Sequence, residues 1–179
     1  MVSSVSRWKN PEMLIAISAL VISVITAFTS IYSAFTDRTY ARASAWPRLE
    51  IARSHEGEVS HRYIISNNGT GPALLHYAKV SFSGQPLKSW EQLFSALGSA
   101  DVSFSQSHIG DIVLPAQQKV TAVHIRTPQA VAAYYASPAP VSIELCYCSI
   151  YDECWVVDRK NQPVEVSQCQ VDEAERFLQ

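Results

Sequence analysis

Residues 63–75, YIISNNGTGPALL, join two apolar runs through a short polar segment that is typical of a connection between β-strands. Asparagine and glycine accept the positive φ of tight turns, and Pro72 fixes φ where the chain leaves the segment. We therefore predict a strand, a turn at 67–72 and a second strand. The glycines do not predict a phosphate-binding loop, because no Lys-Ser/Thr pair follows them and no helix is expected there.

Apolar residues on both sides of this turn recur with a period of two, which is typical of strands. Strands are predicted at Leu49–Arg53, Val59–Asn67, Ala73–Phe82, Val102–Phe104, Ile112–Leu114, Lys119–Ile125, Val141–Ser149 and Cys154–Asp158. Short helices are predicted after Ser89 and Thr127, and a frayed acidic helix at Asp172–Leu178. The pattern predicts a mainly β fold: an Ig-like, antiparallel β-sandwich with two or three short helices.

The N-terminal part of the chain has a different pattern, an uncharged segment at Met13–Thr36, MLIAISALVISVITAFTSIYSAFT. As a helix it would be about 36 Å long, enough to cross a hydrocarbon core of about 30 Å. The nearest small-residue pattern that resembles a signal-peptide cleavage site, Ala43-Ser44-Ala45, lies too far beyond it. We therefore predict a tail (1–12), an uncleaved transmembrane helix (13–36), a connector (37–45) and a β-sandwich domain with an acidic C-terminal tail (46–179).

Small residues form one stripe along this helix: Ala19, Ser23, Ala27, Ser30 and Ala34. Such residues let helix backbones approach closely in lipid, so the stripe predicts oligomerisation or a partner helix. The alternative is that alanine and serine are simply tolerated in a membrane helix. Positive charges flank both ends of the helix and do not decide its orientation.

The cysteines are Cys146, Cys148, Cys154 and Cys169. A turn at 150–152 would place Cys148 opposite Cys154, and Cys169 would then pair with Cys146. Two disulfides would indicate an oxidising compartment and therefore a periplasmic domain. Reduced thiols in a cytoplasmic domain are one alternative. A zinc site is another, although cysteines two apart on one strand face splay their sulfurs.

Charge and motif content argue against two function classes. Residues 46–179 carry 10 Lys and Arg against 14 Asp and Glu, a formal charge of −4, without the basic stripe that nucleic-acid binding needs. The five histidines are dispersed, and no hydrolase or metalloprotease motif occurs. We expect no enzyme, no cofactor, no metal and no nucleic-acid partner. Tyr151 and Trp155 near the hairpin tip are candidates for contact with a protein partner, with core packing as the alternative.

Three motifs carry a resemblance to known proteins: ASAWPRLEI at 43–51, NNGTGPA at 67–73 and YCSIYDECW at 147–155. They are similar to a group of bacterial single-pass membrane proteins with a C-terminal β-rich domain and no assigned activity. The resemblance implies an envelope protein of the bacterial inner membrane and assigns no catalytic residue.

Together with the residue patterns, this resemblance leads us to expect a membrane-anchored, non-enzymatic binding or assembly module. Its expected partners are membrane lipid and either another protein or a second copy of the chain. The alternatives are a cysteine-centred metal-binding or thiol-redox protein, and an envelope sensor of a small ligand.

Overall fold

The computed structural model describes residues 11–57, 59–99, 101–137 and 140–179, in two compact units that divide between Ala43 and Ser44. Helix α1, Pro11–Ser44, includes every described residue of the first unit, and none of its side chains is buried. It is long and apolar enough to cross a membrane. Residues 1–10 of the predicted tail, which include Arg7 and Lys9, lie outside the described residues.

The helix is longer than the predicted span and includes most of the predicted connector. Residues 37–44 contain no proline or glycine, so nothing in them interrupts the backbone hydrogen bonds. Pro47 disfavours the helical conformation at Trp46, and the helix ends before that position.

The second unit consists mainly of strands. Its described residues form β1 (Leu49–Glu56), β2 (Ser60–Asn67), β3 (Ala73–Phe82), β4 (Gln85–Leu87), β5 (Phe104–Gln106), β6 (Ile112–Leu114), β7 (Lys119–Ile125), β8 (Val141–Cys148), β9 (Cys154–Asp158) and β10 (Val164–Val166), with helices α2 (Trp90–Ala96) and α3 (Pro128–Ala136). The strands are rich in valine, isoleucine and tyrosine, whose side chains fit a pleated and half-buried surface.

Two antiparallel sheets confirm the predicted β-sandwich. One has the strand order β1-β2-β7-β5, and the other has the order β10-β9-β8-β3-β4, with β6 also paired to β3. Strands β4 and β10 were not predicted from the sequence. Each has three residues and pairs at the margin of a sheet, so neighbouring strands define it more than its own pattern does.

The core lies between the inward faces of the sheets. Alternate residues of β2 are fully buried, among them Tyr63 and Ile65, and so are Ile143 and Leu145 of β8. Helix α2 adds Trp90, Leu93 and Phe94 to the core. This alternation is the period-two signal in the sequence, because successive strand residues point to opposite faces.

The C-terminal segment does not form the predicted acidic helix. Phe177 is 2 % exposed and contacts Trp90 edge-on, with ring centroids 4.9 Å apart. The backbone N–H of Phe177 donates to Ala78 of β3, between the β3 residues that pair with β6 and those that pair with β4. The segment therefore fills a gap along the edge of β3, since burial of Phe177 outweighs a weak local helix preference.

The turn at 67–72 joins two strands as predicted. Its glycines, however, are needed for a different reason from the predicted one. Neither Gly69 nor Gly71 has a positive φ. A Cβ atom at Gly69 would overlap the backbone of Trp46 and Arg48, and one at Gly71 would overlap the backbone of Ala45. The glycines are therefore needed because the turn lies directly against the chain segment that precedes β1.

Candidate functional site

The cysteines lie around the hairpin formed by β8 and β9. The register of this pair sets Cys148 directly opposite Cys154, with Cα atoms 4.0 Å apart. Cys146, two residues earlier on the same strand face, bonds to Cys169 with a Cα separation of 5.7 Å. The structure thus places both predicted pairs at disulfide distance, and within the described residues no cysteine is free.

The two disulfides are close neighbours. The Sγ atoms of Cys148 and Cys169, which belong to different disulfides, are 3.7 Å apart. Cys146 and Cys148 are buried although their strand face is the more polar one, and Cys169 is half-buried. Cys148, Cys154 and Cys169 have sulfurs within 4.8 Å of one another, and only reduced cysteines would offer these sulfurs to a metal as thiolates.

The tip of this hairpin is a tight turn. The N–H of Ser149 donates to the carbonyl of Glu153 at 2.8 Å, and Asp152 has a φ of 60°. Ile150 is 52 % exposed and Tyr151 39 % exposed. Trp155 is half-buried beside Tyr147, with ring centroids 5.7 Å apart. Of the two residues predicted to contact a partner, Tyr151 is the more accessible and Trp155 mainly packs against the core.

The predicted helix stripe is exposed over its whole length. The hydroxyl of Ser23 donates to the carbonyl of Ala19 at 2.7 Å, so it is satisfied inside its own helix. The stripe therefore offers a flat surface of small side chains. Its association with another helix stays a prediction.

A histidine–tyrosine cluster lies where β2 begins. His61 is fully buried, its Nδ1 is 2.8 Å from the hydroxyl of Tyr135, and its ring stacks on Tyr134 at 4.5 Å. The hydroxyls of Tyr63 and Tyr134 are 2.5 Å apart. Nε2 of His61 has no hydrogen-bond partner among the described residues.

The cluster keeps His61 neutral. Burial, followed by the positive charges of Arg53, His55 and Arg159, lowers the pKa of His61 to about 4. Burial also raises the pKa of Tyr134 above its usual value, and the neighbouring Tyr63 raises it further. At neutral pH the cluster consists of uncharged aromatic groups beside the guanidinium groups of Arg53 and Arg159.

Sequence patterns did not predict this cluster, because the five histidines are dispersed along the chain. A signal was available: His61 has the same parity along β2 as Tyr63 and Ile65, which predicts a shared inward face. The contact with α3 could not be predicted from the sequence, because Tyr134 and Tyr135 lie more than 70 residues further along the chain.

No protein-family model matches the chain, and no curated protein matches it either.

Proposed function

We propose that the chain is a membrane-anchored, non-enzymatic binding or assembly module of the bacterial inner membrane, with its β-sandwich domain in the periplasm. The observation that carries the proposal is the pairing of all four cysteines on a domain that follows one long apolar helix. Disulfides persist in oxidising compartments, which supports the periplasmic side. The helix supplies location, and the domain supplies a stable frame for exposed loops.

The hairpin tip is the proposed contact surface for a protein partner. The Cys148–Cys154 bond closes the hairpin directly below Ile150 and Tyr151. A closed hairpin loses little conformational entropy when it binds, and this favours affinity. Aromatic side chains at such positions provide contact area, as Tyr151 would here.

The compartment is tested with a reporter and with the thiol state. The reporter belongs in front of Met1, because Gln179 is hydrogen-bonded to Ile109 and Ser107 and a fusion there would disturb the domain. A fluorescent protein at this position should fluoresce in the cytoplasm. Acid-quenched cells treated with a mass-tagged maleimide should show no tag before reduction and four after it. Four tags without reduction would contradict the periplasmic assignment.

Helix association is tested by crosslinking in membranes. Replacing Ser23 and Ala27 with leucine should weaken a crosslinked oligomer or complex, because larger side chains separate the backbones. The matched control is Ser18→Leu with Thr29→Leu. At 100° per residue these positions lie on the opposite side of the helix. Equal crosslinking in both double variants would contradict a role for the stripe.

A second candidate function, thiol–disulfide exchange, is favoured by the 3.7 Å distance between Cys148 and Cys169. A protein dithiol would attack Cys154, releasing Cys148 as a thiolate, and its second thiol would then release Cys154. The Cys148 thiolate would attack Cys169, forming a Cys148–Cys169 disulfide and releasing Cys146 as a thiolate.

This exchange predicts a specific product. Limited reduction, followed by alkylation and peptide mapping, should recover a Cys148–Cys169 disulfide. Recovery of only the two original pairs and fully reduced protein would leave the cysteines a structural role.

A further inference from the structure

A cleft opens beside the histidine–tyrosine cluster, where β1, α3 and the loop after β9 meet. Its volume is about 250 Å³, and its lining includes Arg53, Tyr134, Tyr135, Val141 and Arg159. A water molecule occupies about 30 Å³ in the liquid, so the cleft has room for a phosphate group or a small carboxylic acid.

The two arginines of the cleft have no acidic partner among the described residues. None of the ion pairs in the described part of the chain includes Arg53 or Arg159. Those pairs join Arg48 to Glu50, Lys79 to Glu144 and Glu175, and Arg176 to Glu173. Residues 46–179 nevertheless carry a formal charge of −4. Two guanidinium groups that line one cleft repel each other, and a bound anion would offset that repulsion.

Arg159 is held in place before any ligand arrives. Its Nη1 donates to the carbonyl of Val141 at 2.6 Å, and its guanidinium lies 5.6 Å from the ring centroid of Tyr63. An arginine has five N–H donors, and this bond uses one. Arg53 pairs with Tyr63 across strands β1 and β2, so both arginines border the same tyrosine.

The groups around the cleft point to one sign of charge. Of the side chains that line the cleft, the two charged ones are Arg53 of β1 and Arg159 of the loop after β9. Burial is the main cause of the low pKa of His61, and the positive charges of Arg53 and Arg159 lower that pKa further. Guanidinium N–H groups donate charge-assisted hydrogen bonds to an oxyanion.

We propose that this cleft is a binding site for a small oxyanion, a phosphate or carboxylate group held between the guanidinium groups of Arg53 and Arg159. Arginine suits this role because its planar fork can donate two parallel hydrogen bonds to either group. The proposal does not depend on the contact surface at the hairpin tip or on the side of the membrane.

The test is calorimetric titration of the full chain in zwitterionic detergent with inorganic phosphate and, separately, with citrate, against sodium chloride at matched ionic strength. Wild-type protein should bind at least one probe saturably at one site per chain. Arg53→Gln should weaken that binding about tenfold, as expected for loss of a charge-assisted hydrogen bond. Arg53 is exposed, so its replacement leaves the core intact.

Two further variants make the titration specific. Lys119→Gln removes an exposed cation from β7, which does not line the cleft, and should leave the affinity unchanged. Arg159→Lys keeps the charge but removes the fork and should weaken binding severalfold. Absence of saturable binding in the wild type, or an equal loss in Arg53→Gln and Lys119→Gln, would overturn the proposal.

Binding of the probe to the protein in nanodiscs then identifies the source of the oxyanion. If the ligand is a lipid headgroup, the apparent affinity for the probe should fall when phosphatidylglycerol is added to phosphatidylcholine discs, and Arg53→Gln should abolish this competition. If the ligand is a free anion, both lipid compositions should give the same affinity. Either result supports the site and names its source.

Discussion

Each end of strand β2 buries one polar side chain completely, but the two side chains differ in how fully they are hydrogen-bonded. At the end where β2 turns into β3, Asn67 accepts hydrogen bonds from the N–H groups of Arg48 and Gly69. Its amide donates to the carbonyls of Gly71, Leu114 and Pro115. At the other end, His61 uses Nδ1 and leaves Nε2 without a partner in the described structure.

This difference separates a structural position from a candidate functional one. Asn67 ties three chain segments together with all of its hydrogen-bonding capacity, as expected of a buried polar group that specifies a fold. His61 pays a desolvation cost without full compensation, and it lies behind a cleft lined by two arginines. A buried polar group without a full set of partners calls for a specific explanation, and the neighbouring cleft offers one for His61.

Among the substitutions that test this comparison, Asn67→Ala should lower the free energy of unfolding the most. The variant leaves two N–H groups and three carbonyls without their partner, so we expect the free energy of unfolding to fall by about 4 kcal/mol. Urea unfolding of the full chain in detergent, followed by near-UV circular dichroism, measures it. Asn68→Ala is the matched control: Asn68 is exposed, and its loss should cost less than about 0.5 kcal/mol. Similar costs for both variants would remove the structural role of Asn67.

Loss of a disulfide should have the next largest effect, and the two bonds should differ. Cys146 and Cys169 are 23 residues apart, whereas Cys148 and Cys154 are 6 apart. Because a longer closed loop restricts the unfolded chain more, replacing the first pair with alanine should cost about 3 kcal/mol and the second about 1 kcal/mol less. The same unfolding assay measures both, and a reversed order would show that the C-terminal segment gains little from its tether.

His61→Gln tests the same comparison through the pH dependence of the free energy of unfolding. The unfolded chain protonates His61 near pH 6.5, whereas the folded chain does so only near pH 4. As the pH falls from 6.5 to 4, the unfolded state therefore binds a proton that the folded state does not, and stability is lost. We expect a loss of about 2 kcal/mol over this range, less than the whole shift implies because solvent screens the arginine charges.

The measurement is the pH dependence of the unfolding free energy in wild type and variant. His61→Gln should flatten the dependence between pH 6.5 and 4 and leave it unchanged above 6.5. His108→Gln replaces an exposed histidine and serves as the control. An identical slope in wild type and His61→Gln would show that His61 titrates normally in the folded protein.

Local patterns predicted much of the fold and the cysteine pairing. Strands β3, β6, β7 and β9 begin and end at the predicted residues, because each combines clear alternation with turn residues at both ends. The Cys148–Cys154 pair followed from one short hairpin, whose register depends on a few neighbouring residues. The C-terminal prediction failed because Phe177 is buried by Trp90, nearly 90 residues away in the chain.

The candidate oxyanion cleft was not predictable in the same way. Arg53 and Arg159 are separated by more than 100 residues, and nothing local to either one indicates the other. Their meeting depends on the pairing of β1 with β2 and on where the loop after β9 lies.

By itself the sequence determined the features that follow from hydropathy and short-range geometry: an apolar helix long enough for a bilayer, alternating strands and a cysteine hairpin. Hydrophobic periodicity is a property of consecutive residues and can be recognised without knowledge of the fold. Only the tertiary structure decided why the turn glycines are needed, where the C-terminus docks and that two arginines share a cleft. Those features depend on which distant segments meet, and packing of the whole chain selects that.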